Sequence, residues 1–149
     1  MSERKYLPTL SDLVDRLSIC QLKAIFIPEH AAEYRGEIAL IMHDIDVAIE
    51  ELKERDGGFS LGAQAIHAAQ VIAIANRVIW ENESLARAGG SAQDKLLKFT
   101  HSINGVRNTA KNVLSAATGE RRDWKIDCFA AEFVQQFGDW NIFNAANDG

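Results

Sequence analysis

The sequence predicts an all-α fold, an antiparallel helical bundle of four long helices followed by an aromatic-rich C-terminal helix. Three observations carry that expectation. Apolar residues recur at three- and four-residue spacing along most of the chain, capping residues and glycines punctuate the pattern, and no stretch alternates apolar with polar residues as a half-buried strand would. The connections are short, which makes consecutive helices antiparallel neighbours.

Thr9, with Asp12 three residues on, can cap the first helix, where Leu10, Leu13, Val14, Leu17, Ala24 and Ile25 keep helical spacing. Ile27-Pro28 ends it. Pro28 at a first helical position opens the second helix, whose stripe is Tyr34, Ile38, Ile41, Ile45, Ile49 and Leu52, closed by Gly57-Gly58. Ser60 can cap a third helix, Ala-rich from Ala63 to Ala75 and running to about Arg87 before Gly89-Gly90; its small residues permit close helix approach. Ser91 and Asp94 have the form of a capping box for a fourth helix, with Phe99, Ile103, Val106, Ala110, Leu114 and Ala117 on one face and Gly119 as its stop. Beyond it, Trp124, Phe129, Phe133, Phe137, Trp140 and Phe143 supply half of the chain's aromatic residues, and the four-residue repeat of the three phenylalanines predicts a fifth helix ending at Gly138.

The third helix is apolar on two sides. Ala65, Ala69, Ile72 and Ile79 form one stripe, and Val71, Ile74, Val78 and Leu85 form another nearly opposite. Such a helix lies at the centre of a bundle or at an interface between copies, and together with the aromatic ending it makes a homo-oligomer the expectation.

A chain of 149 residues fits one domain and can bury a core without disulfide or metal. Hydrophobic residues at 47% and charged residues at 25% exclude extended disorder. Cys20 and Cys128 each fall within a predicted helix, without ligand or disulfide spacing, and read as reduced core thiols. The opening MSERKYLPTL lacks the apolar stretch of a signal peptide, and no segment offers about 18 uninterrupted apolar residues, so a cytoplasmic location with no membrane partner is expected. A formal net charge of -5 gives no basic footprint for nucleic acid.

Polar residues interrupt the faces that ought to be buried. The first stripe of the third helix continues into Asn76, Trp80, Glu83 and Arg87, whose spacings of four, three and four keep them on one face. The fourth helix stacks Asn104, Arg107, Asn108 and Lys111 beside its apolar stripe. Arg107 and Lys111 are like charges at i, i+4, a cost of a few tenths of a kcal/mol unless an anion lies between them, and Gly105 beside them costs roughly 1 kcal/mol against Ala. In the first helix Asp15 is in line with Ile19 and Leu22, while Arg16 and Lys23 share an adjacent edge.

Two accounts fit these residues. In one they pool into an inter-helix cleft. Arg16, Lys23, Arg87, Arg107 and Lys111 against Asp15 and Glu83 leave a surplus of three positive charges, which suits an anionic small molecule with Trp80 as a stacking surface. In the other they form a network of buried ion pairs and solvated edges that fixes helix register.

Three blocks add a resemblance. LSDLVDRLSICQLK carries Asp15, Arg16, Ser18 and Lys23; WENESLAR carries Trp80, Glu83 and Arg87; NGVRNTAK carries Asn104, Arg107 and Lys111. In order and internal spacing they resemble a family of short helical proteins of bacteria and some phages, often encoded near sugar-transfer or nucleotide-metabolism genes. The resemblance spans about residues 7 to 116, implies a shared polar site, and brings no activity with it. The aromatic segment from residue 120 to 149 departs from the family's pattern.

The leading functional expectation is a non-catalytic binding module for a nucleotide, nucleotide sugar or signalling nucleotide, one that sequesters its ligand without a cofactor. Arg87, Arg107 and Lys111 would take phosphate oxygens, Asn76 and Asn104 a base or sugar, Trp80 would stack, and Asp15 and Glu83 would orient the basic groups. An enzyme reading, an all-α nucleotide pyrophosphohydrolase, needs several facing carboxylates for magnesium, and only Asp15 and Glu83 stand in the polar set. His43-Asp44 resembles a metal dyad, but His30, His67 and His101 lack ligand spacing. An interaction-protein reading places function in the aromatic segment and the doubly apolar helices, as an oligomer or partner surface; for Phe129, Phe133 and Phe137 the simpler explanation is a core-facing helix side.

Overall fold

The computed structural model describes residues 5–89 and 93–121. They form α1 (Leu10–Phe26), α2 (Ala31–Arg55), α3 (Ala63–Arg87) and α4 (Gln93–Thr118), with a 3-10 turn at Pro28–His30 between the first two. No strand occurs among the described residues. The expected aromatic fifth helix, Cys128 and the cap at Ser91 lie outside them.

Local chemistry explains most boundaries. Thr9 and Asp12 make a reciprocal capping box at α1: the Asp12 amide donates to Thr9 Oγ1 at 3.2 Å, and the Thr9 amide donates to Asp12 Oδ2 at 3.0 Å. A further orphan amide at this end, that of Leu10, donates to Glu120 Oε1 at 3.0 Å. The chain thus ties the start of α1 to the residues that follow α4. Gly89 (φ 80°) and Gly119 (φ 71°) adopt the left-handed conformation just past α3 and α4, where a side chain would be strained. The third helix begins at Ala63 rather than beside Ser60; its Ile66 amide donates to the Gly62 carbonyl at 3.2 Å.

The helices share two apolar clusters. Between α3 and α4, alanines let the backbones approach, and Ala68, Ile72 and Ala75 bury completely with Ile103, Val106 and Ala110. The second cluster joins α1 to α2 through Leu13, Cys20 and Ile41, with Leu17, Ile38 and Ile45 packed around them. Since α1 also packs on α3 and α4, it is the element common to both clusters. Thr9→Ala should weaken this scaffold by about 1 kcal/mol through loss of the cap, read as a lower urea midpoint with unchanged slope.

The second stripe of α3 divides. Val71 is buried and Val78 packs on the core, while Ile74 and Leu85 are exposed, about 16 Å apart along the axis. Two of the four residues expected at an interface between copies are therefore used inside the chain. Among the described residues, no helix is long and apolar enough to cross a membrane.

Candidate functional site

On the side of α1 that meets α3 and α4, polar side chains close into a network. Asn76 is its hub: Nδ2 donates to Asp15 Oδ1 at 2.7 Å and to Ser18 Oγ at 2.6 Å, and Oδ1 accepts from Arg107 Nη1 at 3.0 Å. Lys111 Nζ lies 3.1 Å from Asp12 Oδ1 and 3.5 Å from Asp15 Oδ2. Nearby, the hydroxyls of Ser11 and Ser115 meet at 3.0 Å. Asn76 is 4% exposed, and the side chains of Asp15 and Lys111 are only 15% and 16% exposed. Partners are what make such burial tolerable. The like charges Arg107 and Lys111 are reconciled from within the chain: carboxylates of α1 meet Lys111, and an amide oxygen meets Arg107. Arg107 Nε is buried with no hydrogen-bond partner.

Asp12 belongs both to the cap and to this network. Burial alone would push its carboxyl up, but the Thr9 amide, followed by Lys111 and the Thr9 hydroxyl, outweighs that and holds it below its ordinary value. Arg121 adds a further cation 3.7 Å from Asp12 Oδ2, while also donating to the Leu7 carbonyl. A carboxyl depressed by folding stabilises the native state above its unfolded pKa, about 4, and loses that contribution as pH falls through the folded value. Urea unfolding of the wild type should therefore show stability falling below about pH 4, with a shallower fall in Asp12→Asn.

On its other flank α1 faces α2 across an open cleft of about 790 Å³. Arg16, Ile19, Cys20 and Lys23 line it from α1, and Glu37, Leu40, Ile41 and Asp44 from α2; Asp12, Asp15, Lys111 and Arg121 border it from the network side. Cations and carboxylates balance, four against four. They differ in how far they are committed. Lys111 and Arg121 have carboxylates, whereas Arg16 and Lys23 form no ion pair among the described residues; Lys23 Nζ stands 5.8 Å over the Tyr34 ring. Asp44 is likewise unpaired among those residues, and Glu37 Oε2 accepts from the Cys20 thiol at 3.3 Å. Burial, reinforced by Glu37, pushes the Cys20 thiol up, so at neutral pH it is a protonated donor rather than a nucleophile.

The ten residues singled out in the sequence fall into three places. Asp15, Asn76, Arg107 and Lys111 meet in the network. Arg16 and Lys23 line the cleft, with Asp15 and Lys111 at its border. Trp80 stacks on Phe26 with ring centroids 6.0 Å apart, and Glu83 and Arg87 pair with each other at 3.7 Å on the exposed surface. Asn104 is half-buried on α4. A shared helical face explains the division: Arg87 stands about 16 Å from Asn76 along α3, so the two residues look the same way at different heights. The surplus of three positive charges is not a property of the cleft, where Asp12, Glu37, Asp44 and Arg121 join the count and Glu83, Arg87 and Arg107 leave it.

Asp12, Glu37, Asp44 and Arg121 stand outside those ten, Asp44 having a sequence signal only beside His43 as a metal dyad. Asp12 was hidden by its second role as a cap, while Glu37 and Asp44 repeat on α2 the seven-residue interval of Arg16 and Lys23 on α1, a pattern legible once the two helices are set side by side. Among the described residues, no group of three or more His, Cys, Asp or Glu is placed to hold a metal ion. No protein-family model, curated protein or solved structure matches this chain.

Proposed function

We propose that this protein binds a phosphate-bearing small molecule, a nucleotide, nucleotide sugar or signalling nucleotide, in the cleft between α1 and α2, and holds it in the cytoplasm without changing it. The observation that carries the reading is the pair Arg16 and Lys23, two cations on one edge of a ligand-sized cleft with no carboxylate bound to either among the described residues. Phosphate oxygens would supply what they lack, at about 1.5 to 3 kcal/mol for each charge-assisted contact. Asp15 is committed to Asn76 and Lys111, and Glu83 to Arg87, which favours holding over metal-assisted hydrolysis.

The network favours a second, complementary role for the other polar residues. Asn76, Asp15, Ser18, Arg107 and Lys111 satisfy one another across three helices, as residues that fix register would. In this proposal they hold the wall of the cleft and Arg16 and Lys23 hold the ligand. Native mass spectrometry of protein purified from its own cells is the test: an adduct with the mass of a phosphate ester, lost from the Arg16→Ala/Lys23→Ala double variant, is expected. Adduct-free protein that also gives no calorimetric heat with nucleotides and nucleotide sugars would overturn the proposal.

A further inference from the structure

Asp12 and Asp15 of α1 are paired with Lys111, so the charges left without an ion pair among the described residues are opposite on the two walls, Arg16 and Lys23 on α1 against Glu37 and Asp44 on α2, and the register of the helices fixes their order. Cys20 meets Glu37, and Lys23 lies against Tyr34, so residue numbers fall along α1 as they rise along α2. Glu37 is therefore level with Cys20, between Lys23 and Arg16, and Asp44, two turns further on, stands just past the level of Arg16. At 1.5 Å per residue the sequence Lys23, Glu37, Arg16, Asp44 advances in steps of about 5 Å. The neighbours alternate in sign but form no ion pair among the described residues.

Resting on the cleft reading above, we propose that the site selects a phosphate ester that also carries hydrogen-bond donors, hydroxyl or ammonium, about one helical turn from its phosphate. A phosphate on Arg16 is flanked by Glu37 and Asp44, which accept but cannot donate when ionised. A ligand made of phosphate alone would bring a second anion against those carboxylates. One whose next atoms are donors would satisfy them and keep the phosphate on the cations, so the carboxylates act as a filter against bare polyphosphate while the cations supply attraction.

Calorimetric titration with glucose 1-phosphate, phosphoethanolamine and inorganic pyrophosphate tests this, using the whole chain and the variants Asp44→Asn and Glu37→Gln. Asp44 is exposed and unpaired among the described residues, so Asp44→Asn should melt with the wild type. The wild type should bind at least one ester about tenfold or more tighter than pyrophosphate, glucose 1-phosphate if hydroxyls are the donors and phosphoethanolamine if ammonium is. In Asp44→Asn that preference should collapse from both sides, the ester weakening and pyrophosphate tightening; Glu37→Gln should act the same way. Pyrophosphate binding as tightly as the tighter of the two esters, or a preference untouched in both variants, would overturn the selectivity and leave the cleft reading standing. If none of the three probes nor any nucleotide or nucleotide sugar binds the wild type, both fall together.

Discussion

Asp15→Ala should lower the unfolding free energy by about 3 to 5 kcal/mol, the loss expected when one member of a buried, hydrogen-bonded charge pair is removed. Its carboxylate accepts from Asn76 on one oxygen and faces Lys111 on the other, with its side chain only 15% exposed. Removing it strands an amide proton of Asn76 and leaves Lys111 with Asp12 alone. Asp15→Asn keeps an acceptor for Asn76 but confronts Lys111 with a neutral amide, so it should fall between wild type and alanine. Urea unfolding at pH 7 measures both. A loss under about 1 kcal/mol for the alanine variant, the range of a surface ion pair, would mean that the network does not act as a unit.

The second large effect concerns the contact between α3 and α4. Ile72 is completely buried there, and Ile72→Ala should cost about 2 to 5 kcal/mol from lost transfer energy and the cavity left behind. Ile74, two residues along the same helix, is 54% exposed, and Ile74→Ala should cost no more than about 0.5 kcal/mol. The contrast in urea midpoints checks the orientation of α3 directly. Equal losses would mean that Ile74 is also covered in solution, as it would be between two copies of the chain.

Helix positions were legible because their signals are local. A Thr9–Asp12 box, a proline and glycines in the left-handed region act within a few residues of the boundaries they mark, the start of α1, the break between α1 and α2, and the ends of α3 and α4. The site was legible only in part because its partners are tertiary. Helical periodicity placed Asn76, Trp80, Glu83 and Arg87 on one face, but periodicity is blind to height, and that face serves the network at Asn76, an aromatic stack at Trp80 and solvent at Arg87. The like-charged pair Arg107 and Lys111 raises the expectation of an anion between them, but Lys111 meets the carboxylates Asp12 and Asp15 of the chain itself and Arg107 meets the amide oxygen of Asn76. In α2 the apolar stripe and the His43-Asp44 pair are legible from local spacing, whereas the opposition of Glu37 and Asp44 to Arg16 and Lys23 depends on how α1 and α2 pack.

On the proposed reading, the residues that hold the fold are distinct from those that hold a ligand, and one set of thermal melts tests that separation. Wild type, Arg107→Ala and Arg16→Ala/Lys23→Ala are each melted with and without a saturating phosphate ester. Arg107→Ala should melt well below wild type, because Asn76 Oδ1 loses its donor, yet keep the ligand-induced rise. The double variant should melt with the wild type and lose that rise. The reverse pattern, with the rise lost in Arg107→Ala at unchanged stability and retained in the double variant, would contradict the account and return the binding role to the residues of α3 and α4.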